Sequence, residues 1–166
     1  MPWAELLVKE FKATGTRFIV TLPDSWLAEV IRLVERDPEL CHVPVAREEE
    51  GVGICCGASL AGKRAALLVQ NAGILSSGGA LTNLALSYGI PFLLLVADRG
   101  RADDALPHHV PKARATRSML GALGLPCREL MTPLAGALKA AWEEVEREGK
   151  PLALLITKKV VDSPDG

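Results

Sequence analysis

Two runs of apolar residues without a polar interruption constrain the fold of this chain most strongly. Residues 65–69 read Ala-Ala-Leu-Leu-Val, and residues 92–96 read Phe-Leu-Leu-Leu-Val. A strand that lacks polar alternation is typically buried on both faces, as in a parallel sheet covered by helices on each side. Because a helical pattern separates these runs from their neighbours, the sequence predicts βαβ units.

Shorter patterns continue this alternation along the chain. Further strands are predicted at residues 17–21, 41–45 and 152–157. Helices are predicted for the first dozen residues, for 27–36, for 48–62, for a segment that ends near Tyr88, for a short stretch around 119–123 and for 134–148. We therefore expect a three-layer α/β fold with a mainly parallel sheet of about six strands and helices on both faces, and one domain over residues 1–166.

The connecting segments carry their own signals. Asp24 or Ser25 is expected to cap the helix that follows, and Asn71-Ala72-Gly73 is expected to turn the chain. Residues 101–112 lack periodicity and are predicted to form a long surface loop, whereas Thr132-Pro133 is expected to open the last long helix.

Charge and composition exclude several classes of protein. The formal net charge is −1, and the 19 basic and 20 acidic residues are interspersed. A surface that follows nucleic-acid phosphates needs a local excess of Lys and Arg, so no nucleic-acid partner is expected. No apolar run approaches the ~20 residues of a membrane span. The charges of Glu5, Lys9 and Glu10 interrupt the N-terminal apolar residues, so no signal peptide is expected. We expect a cytoplasmic protein without membrane contact.

The four cysteines do not predict a metal site or a disulfide framework. Cys41, Cys55, Cys56 and Cys127 lack the paired spacing of a zinc site and the density of a secreted scaffold. The adjacent Cys55 and Cys56 are either a redox pair or two small buried apolar residues, and their position in an apolar helix favours the second interpretation.

Polar residues follow several of the predicted strands. In open parallel sheets, ligands bind outside the carboxyl ends of the strands, so residues from different strands can share one rim. The candidates are Pro23, Asp24 and Ser25; Arg47, Glu48 and Glu49; Gln70, Asn71 and Gly73; Asp98 and Arg99; and the loop pair His108 and His109.

Each candidate also has a purely structural interpretation. Glu49 and Glu50 can form a solvated first helical turn, and Asn71 and Gly73 can serve turn chemistry alone. The guanidinium of Arg99 can pair at the surface with a nearby carboxylate: Asp98, Asp103 or Asp104. The two histidines can be structural or simply exposed.

Glycines follow the carboxylates of residues 48–50 inside a helical pattern. Gly51, Gly53 and Gly57 each cost about 1 kcal/mol relative to Ala in a helix interior, so a close backbone approach is expected to compensate. They do not lie between a strand and a helix, as a dinucleotide fingerprint requires, and neither a P-loop nor a nucleophile elbow is present.

An ordered set of motifs resembles a known family. The set comprises Glu48 followed by Gly51, Gly53 and Gly57; Gln70-Asn71-Ala72-Gly73; Ile90-Pro91; Arg99-Gly100; and Pro107-His108-His109-Val110. Together they resemble the pyrimidine-binding domain of thiamine-diphosphate-dependent decarboxylases, above all the alpha subunits of sulfopyruvate decarboxylases and the equivalent half of phosphonopyruvate decarboxylases. The likeness runs from about residue 7 to residue 158.

The resemblance implies roles for individual residues. Glu48 corresponds to the family glutamate that hydrogen-bonds the ring nitrogen of the cofactor's aminopyrimidine, and Gln70, Asn71 and Gly73 would line the pyrimidine side. Pro23, Asp24 and Ser25 would face the substrate, a short anionic 2-oxo acid. His109 or His108 would donate a proton or contact an anionic group, with His109 favoured by register. Arg99 would attract a sulfonate or phosphonate, or be structural.

The resemblance also implies a partner. Family members hold thiamine diphosphate through Mg²⁺ bound by a Gly-Asp-Gly and Asn motif on another domain, and the printed sequence lacks that motif. The chain is therefore expected to be a decarboxylase subunit that is inactive alone. It would work within a hetero-oligomer whose second subunit binds the diphosphate and the metal. A homo-oligomer is possible in the absence of that subunit.

Two other functions remain open from the sequence. After Gly73 the family continues with a second glycine and an asparagine, whereas residues 74–79 read Ile-Leu-Ser-Ser-Gly-Gly here. This departure favours a non-catalytic homologue that acts as an oligomeric scaffold or small-molecule-binding protein. A flavodoxin-like binding domain with accidental likeness to the family is the third possibility.

Overall fold

Six strands form one parallel sheet in the computed structural model of the chain, which describes residues 1–102, 104 and 106–163. The strands are β1 (Thr16–Thr21), β2 (Cys41–Pro44), β3 (Arg64–Gln70), β4 (Leu93–Ala97), β5 (Cys127–Glu129) and β6 (Leu152–Ile156). Their order across the sheet is β2-β1-β3-β4-β6-β5, and every neighbouring pair is parallel.

Helical segments connect the strands within the described residues. They are α1 (Trp3–Ala13), α2 (Ala28–Arg36), α3 (Glu48–Leu60), α4 (Asn71–Ser76), α5 (Gly78–Ala80), a π-helix (Leu81–Leu86), α6 (Val110–Ala122), α7 (Ala137–Glu148) and α8 (Lys158–Val161). Across the part of the chain that is described, no helix combines the length and apolar character needed to cross a bilayer.

Two apolar clusters lie on opposite faces of the sheet. One contains the buried side chains of α1, α2 and α7, and the other those of α3, the π-helix and α6. Successive residues of β3 alternate between them, with Leu68 in the first cluster and Leu67 and Val69 in the second. The predicted three-layer fold with helices on both faces is confirmed, and the apolar runs are buried because each face of the strand is covered.

Cys55 and Cys56 belong to the second of these clusters. Burial, with a smaller contribution from the neighbouring Cys56 thiol, raises the pKa of Cys55 well above its usual value, and burial raises the pKa of Cys56 to about 11. Neither thiol is ionised near neutral pH, so their chemistry fits small buried apolar residues better than a reactive pair.

The segment after β3 differs from the expected turn. The helix α4 begins directly at Asn71, because the Ile74 side chain is fully buried in the second cluster. The hydroxyls of Ser76 and Ser77 both donate to the Gly73 carbonyl, at 2.9 and 2.7 Å, and tighten this short helix. Burial therefore overrides the turn preference of Asn and Gly.

Two helix starts also differ from those expected. Neither Asp24 nor Ser25 caps α2, which begins at Ala28; instead Asp24 accepts a hydrogen bond from the Trp26 backbone N–H at 2.8 Å within the preceding turn. Thr132-Pro133 does not open α7, which begins at Ala137 after Gly136, whose φ is +77°. That left-handed backbone conformation favours glycine and breaks the helix there.

Two further elements are shifted or were missed. The loop predicted over residues 101–112 ends earlier, since α6 begins at Val110 with Pro111 in its first turn. The edge strand β5 spans three residues with little buried surface, which leaves too short a pattern to recognise.

Candidate active site

The candidate residues lie at the carboxyl ends of four adjacent strands, β2, β1, β3 and β4. From β1 the chain moves to one side of the sheet to form β2, and it then returns to the other side of β1 to form β3. The strand order thus reverses between β1 and β3, where an open parallel sheet leaves a crevice for a ligand.

A direct side-chain bond joins the ends of β1 and β3 at this position. Asp24 follows β1 and Gln70 ends β3, and the Gln70 amide donates to the Asp24 carboxylate at 2.8 Å. Asp24 is buried, and its other oxygen holds the Trp26 backbone N–H. The neighbouring Pro23 and Ser25 are exposed at the same edge.

Arg99, which follows β4, is the buried centre of a charged network. Its Nε donates to Asp104 at 2.8 Å, and its Nη1 donates to the Ser25 hydroxyl at 2.9 Å and lies 3.5 Å from the Asp24 carboxylate. The guanidinium also stacks 4.4 Å from the ring centre of Trp26. Two carboxylates therefore flank the single Arg99 charge, and this geometry supports the structural interpretation of Arg99.

Asp104 links Arg99 to the histidine loop. Its Oδ2 lies 3.1 Å from His109 Nδ1 and accepts the Gly100 backbone N–H at 3.1 Å. Burial acts to raise the pKa of Asp104, but the hydrogen bonds from Gly100 and Arg99 outweigh it and hold the pKa below its usual value. The stabilisation from this carboxylate is present above its unfolded-state pKa and is lost as the pH falls through its folded-state pKa.

The two histidines have different environments. His109 is buried, with 6% of its surface exposed, whereas His108 is exposed. Their ring centres lie 4.2 Å apart in an edge-on arrangement. A Cβ at Gly100 would overlap the His109 carbonyl, so only glycine allows the end of β4 to approach this loop so closely.

The three consecutive carboxylates at the start of α3 are not equivalent. Glu49 forms an ion pair with Arg47 at 2.6 Å, and Glu50 accepts the Ala46 backbone N–H at 3.1 Å. Glu48 is half-buried and makes neither a hydrogen bond nor an ion pair with any residue among those described. Glu48 is therefore the carboxylate of the three whose oxygens remain available to a ligand.

Gly73 determines where the Glu48 side chain lies. A Cβ at position 73 would overlap the Cγ, Cδ and Oε1 atoms of Glu48, so the carboxylate rests directly on the bare backbone of α4. The glycines of α3 differ among themselves. A Cβ at Gly51 would come 2.6 Å from Leu67, which confirms a close approach there, whereas a Cβ at Gly53 or Gly57 would meet nothing within 4 Å.

Asn71 is a fully buried link between two strand ends. Its Nδ2 donates to the Arg99 carbonyl at 2.9 Å, and its Oδ1 is buried without a hydrogen-bond partner among the described residues. Asp98 lies apart from this network, because it pairs with Arg101 at 2.9 Å and lies 3.6 Å from Arg117. Asp103, one of the possible partners proposed for Arg99, is outside the described residues.

Lys112 was missed by sequence reasoning. It lies in the first turn of α6, and its Nζ donates to Gln70 Oε1 at 3.0 Å. The proline at position 111 is typical of a first helical turn and was the signal that places Lys112 at the start of a helix. The position of Asp104 was not predictable, since it depends on contacts with Arg99 and Gly100 after β4 and with His109 before α6.

Replacing Arg99 by methionine is expected to lower the free energy of unfolding by about 3 kcal/mol or more, because two carboxylates would remain buried without their cation. Urea denaturation of the isolated chain measures this loss. Arg32→Met is the matched control, since Arg32 pairs with Glu29 at an exposed position and its loss should change the free energy of unfolding far less than the loss of Arg99. Equal losses in both variants would contradict a buried Arg99 network.

Comparisons with known proteins place the chain in a family. A scan against models of protein families finds no match. The chain is 36% identical over 156 residues to the sulfopyruvate decarboxylase subunit alpha of Methanothermobacter thermautotrophicus, an alignment that covers 92% of this chain and 94% of the relative. The chain belongs to the family of sulfopyruvate decarboxylase alpha subunits.

Other relatives agree with membership of this alpha-subunit family. The subunit alpha of Methanocaldococcus jannaschii is 34% identical over 146 residues, which cover 87% of this chain and 86% of that protein. The sulfopyruvate decarboxylase of Methanosarcina acetivorans is 34% identical over 122 residues, 73% of this chain but 31% of that longer protein. The family resemblance predicted from the sequence motifs is confirmed.

Proposed function

We propose that this chain is the alpha subunit of a thiamine-diphosphate-dependent decarboxylase that acts on sulfopyruvate or a similarly short 2-oxo acid with a second anionic group. The position of Glu48 carries this proposal: its carboxylate is unpaired within the described residues and rests on Gly73 at the carboxyl edge of the sheet. The names of the alpha-subunit relatives support the substrate class.

The residues around Glu48 fit an aminopyrimidine ring. Glu48 would hold the ring nitrogen through its carboxyl group, and the bare backbone at Gly73 leaves room for this side chain beside the ring. Gln70 would line the same side of the crevice, while Asn71 would act through its bond to the Arg99 carbonyl. Bound thiamine diphosphate supplies the electron sink for the carbanion that remains when carbon dioxide leaves a 2-oxo acid.

His109 is proposed to move a proton at the reacting carbon. Its Nδ1 faces Asp104, so Nε2 is the nitrogen that remains to donate or accept a proton. The Asp104 carboxylate fixes the ring orientation and favours a proton on Nδ1 in the neutral imidazole. The exposed His108 would act beside it as a contact for an anionic group, and Asp24, Ser25 and Pro23 would bound the substrate side.

A second subunit is proposed to complete this site by binding the diphosphate and Mg²⁺. The word "alpha" in the relatives' names supports a partner, as does the Methanosarcina acetivorans relative, of which the match covers 31%. One outer surface of α3 is suited to such a contact. Gly53 and Gly57 face open space there, and Leu60 is 76% exposed.

Reconstitution tests this proposal. The chain is produced alone and together with the thiamine-diphosphate-binding subunit encoded in the same genome, and carbon dioxide release from sulfopyruvate is measured with thiamine diphosphate and Mg²⁺. We expect release by the two-chain complex and none by the isolated chain. A complex that assembles but releases no carbon dioxide from sulfopyruvate or phosphonopyruvate would contradict the proposal and favour a non-catalytic scaffold.

A further inference from the structure

Lys112 lies at the rim formed by the carboxyl ends of the strands. Among the described residues, no carboxylate forms an ion pair with its ammonium. The other rim cations are paired: Arg99 is enclosed by Asp24 and Asp104, and Arg47 pairs with Glu49. The Lys112 side chain is half-buried in the first turn of α6, and its ammonium donates to Gln70 Oε1, which belongs to a neutral amide. The positive charge is therefore held in place without being neutralised.

The orientation of the Gln70 amide follows from its two partners. Its Nε2 group donates to the Asp24 carboxylate at 2.8 Å, and its Oε1 accepts from the Lys112 ammonium at 3.0 Å. A carboxylate only accepts and an ammonium only donates, so the reversed amide would lose both bonds. At the carboxyl ends of β1 and β3, Asp24 therefore lies on one side of the Gln70 amide and Lys112 on the other.

An ammonium has three donors, and Gln70 uses one of those on Lys112. The remaining donors suit a compact anion, because the lysine ammonium is a compact point charge whose donors can rotate toward it. We propose that Lys112 binds the second anionic group of the substrate, the sulfonate or phosphonate, and so selects dianionic over monoanionic 2-oxo acids. This inference rests on the proposed function and assigns to Lys112 the anion contact that the sequence suggested for Arg99.

Binding of an unreactive dianion tests this role independently of turnover. The probe is 3-sulfopropanoate, which has both anionic groups but no keto group, and propanoate is the monoanionic comparison. Titration calorimetry is done on the two-chain complex with wild-type chain, Lys112→Gln and Lys112→Arg. Lys139→Gln, which removes an exposed lysine of α7 on the other face of the sheet, is the matched control.

We expect Lys112→Gln to weaken 3-sulfopropanoate binding about 10- to 100-fold, the range of a hydrogen bond to a charged group. Propanoate binding should change less than about 3-fold in the same variant, and Lys112→Arg should retain most of the dianion affinity because it keeps the charge. Unchanged dianion binding in Lys112→Gln, an equal loss for propanoate, or a wild-type complex that does not bind the dianion would overturn the inference.

Turnover measurements separate a failure of this inference from a failure of the proposed function. If Lys112→Gln loses dianion binding while the wild-type complex releases no carbon dioxide, the anion contact stands and the decarboxylase activity fails. If the complex is active and Lys112→Gln leaves the KM for sulfopyruvate unchanged, the activity stands and the assignment of Lys112 is wrong.

Discussion

Replacing Glu48 by glutamine in the two-chain complex is expected to lower kcat/KM at least about 100-fold, the lower end of what a positioned acid or base contributes. Glutamine keeps the shape of the side chain but has no acidic proton to share with a ring nitrogen. The loss should therefore appear in steady-state decarboxylation while urea denaturation of the isolated chain changes little, since Glu48 makes no hydrogen bond or ion pair with the other described residues.

Glu50 provides the matched control on the same helical turn. Its carboxylate is exposed and accepts the Ala46 backbone N–H, a bond that the amide oxygen of Glu50→Gln can also accept. Activity of Glu50→Gln should remain within about 2-fold of wild type, as is usual for changes that remove no particular interaction. Full activity in Glu48→Gln, or equal losses in both variants, would show that Glu48 has no special role.

Replacing Gly73 by alanine is expected to lower activity about 100-fold, because the new methyl group would occupy the space of the Glu48 Cγ and Cδ atoms. A displacement of about 1 Å in a reacting group can cost 100-fold in rate. Glu48 is half-buried and can rotate away, so the free energy of unfolding should change by less than about 1 kcal/mol. Steady-state kinetics and urea denaturation of the same preparation separate the two effects.

Gly121→Ala is the control for this substitution. Gly121 is exposed in α6, and a Cβ there would meet no atom within 4 Å. Its activity should equal that of wild type, with stability unchanged or slightly raised by the better helix propensity of alanine. If Gly73→Ala were as active as Gly121→Ala, the position of Glu48 on Gly73 would not matter for function.

Much of the fold was predictable because burial leaves a simple pattern. The apolar runs of β3 and β4 showed strands covered on both faces, and the polar residues at their ends gave the location of the rim. The edge strand β5 was not predictable, since its three residues are mostly exposed and obtain their order from pairing with β6. The turn predicted at residues 71–73 was wrong, because burial of Ile74 stabilises a helix in a sequence that is typical of a turn.

The sequence predicted which residues lie at the candidate site better than it predicted the side-chain contacts among them. Sequence spacing placed Glu48, Gln70 and Arg99 after successive strands, but it did not distinguish Arg99 as an anion contact from Arg99 as a buried structural cation. That distinction depends on Asp24 and Asp104, which come from different segments and meet only in the folded chain. The same reason hid Lys112, whose bond to Gln70 spans 42 residues of sequence.

The central claim is that Glu48 meets the cofactor's pyrimidine ring in a crevice closed by a second subunit. A crystal structure of the two-chain complex with thiamine diphosphate and Mg²⁺ measures this directly. We predict a Glu48 carboxyl oxygen about 2.6–3.2 Å from a pyrimidine ring nitrogen, the distance of a hydrogen bond. A Glu48 side chain in bulk solvent, or a pyrimidine ring bound away from Gly73, would contradict the account.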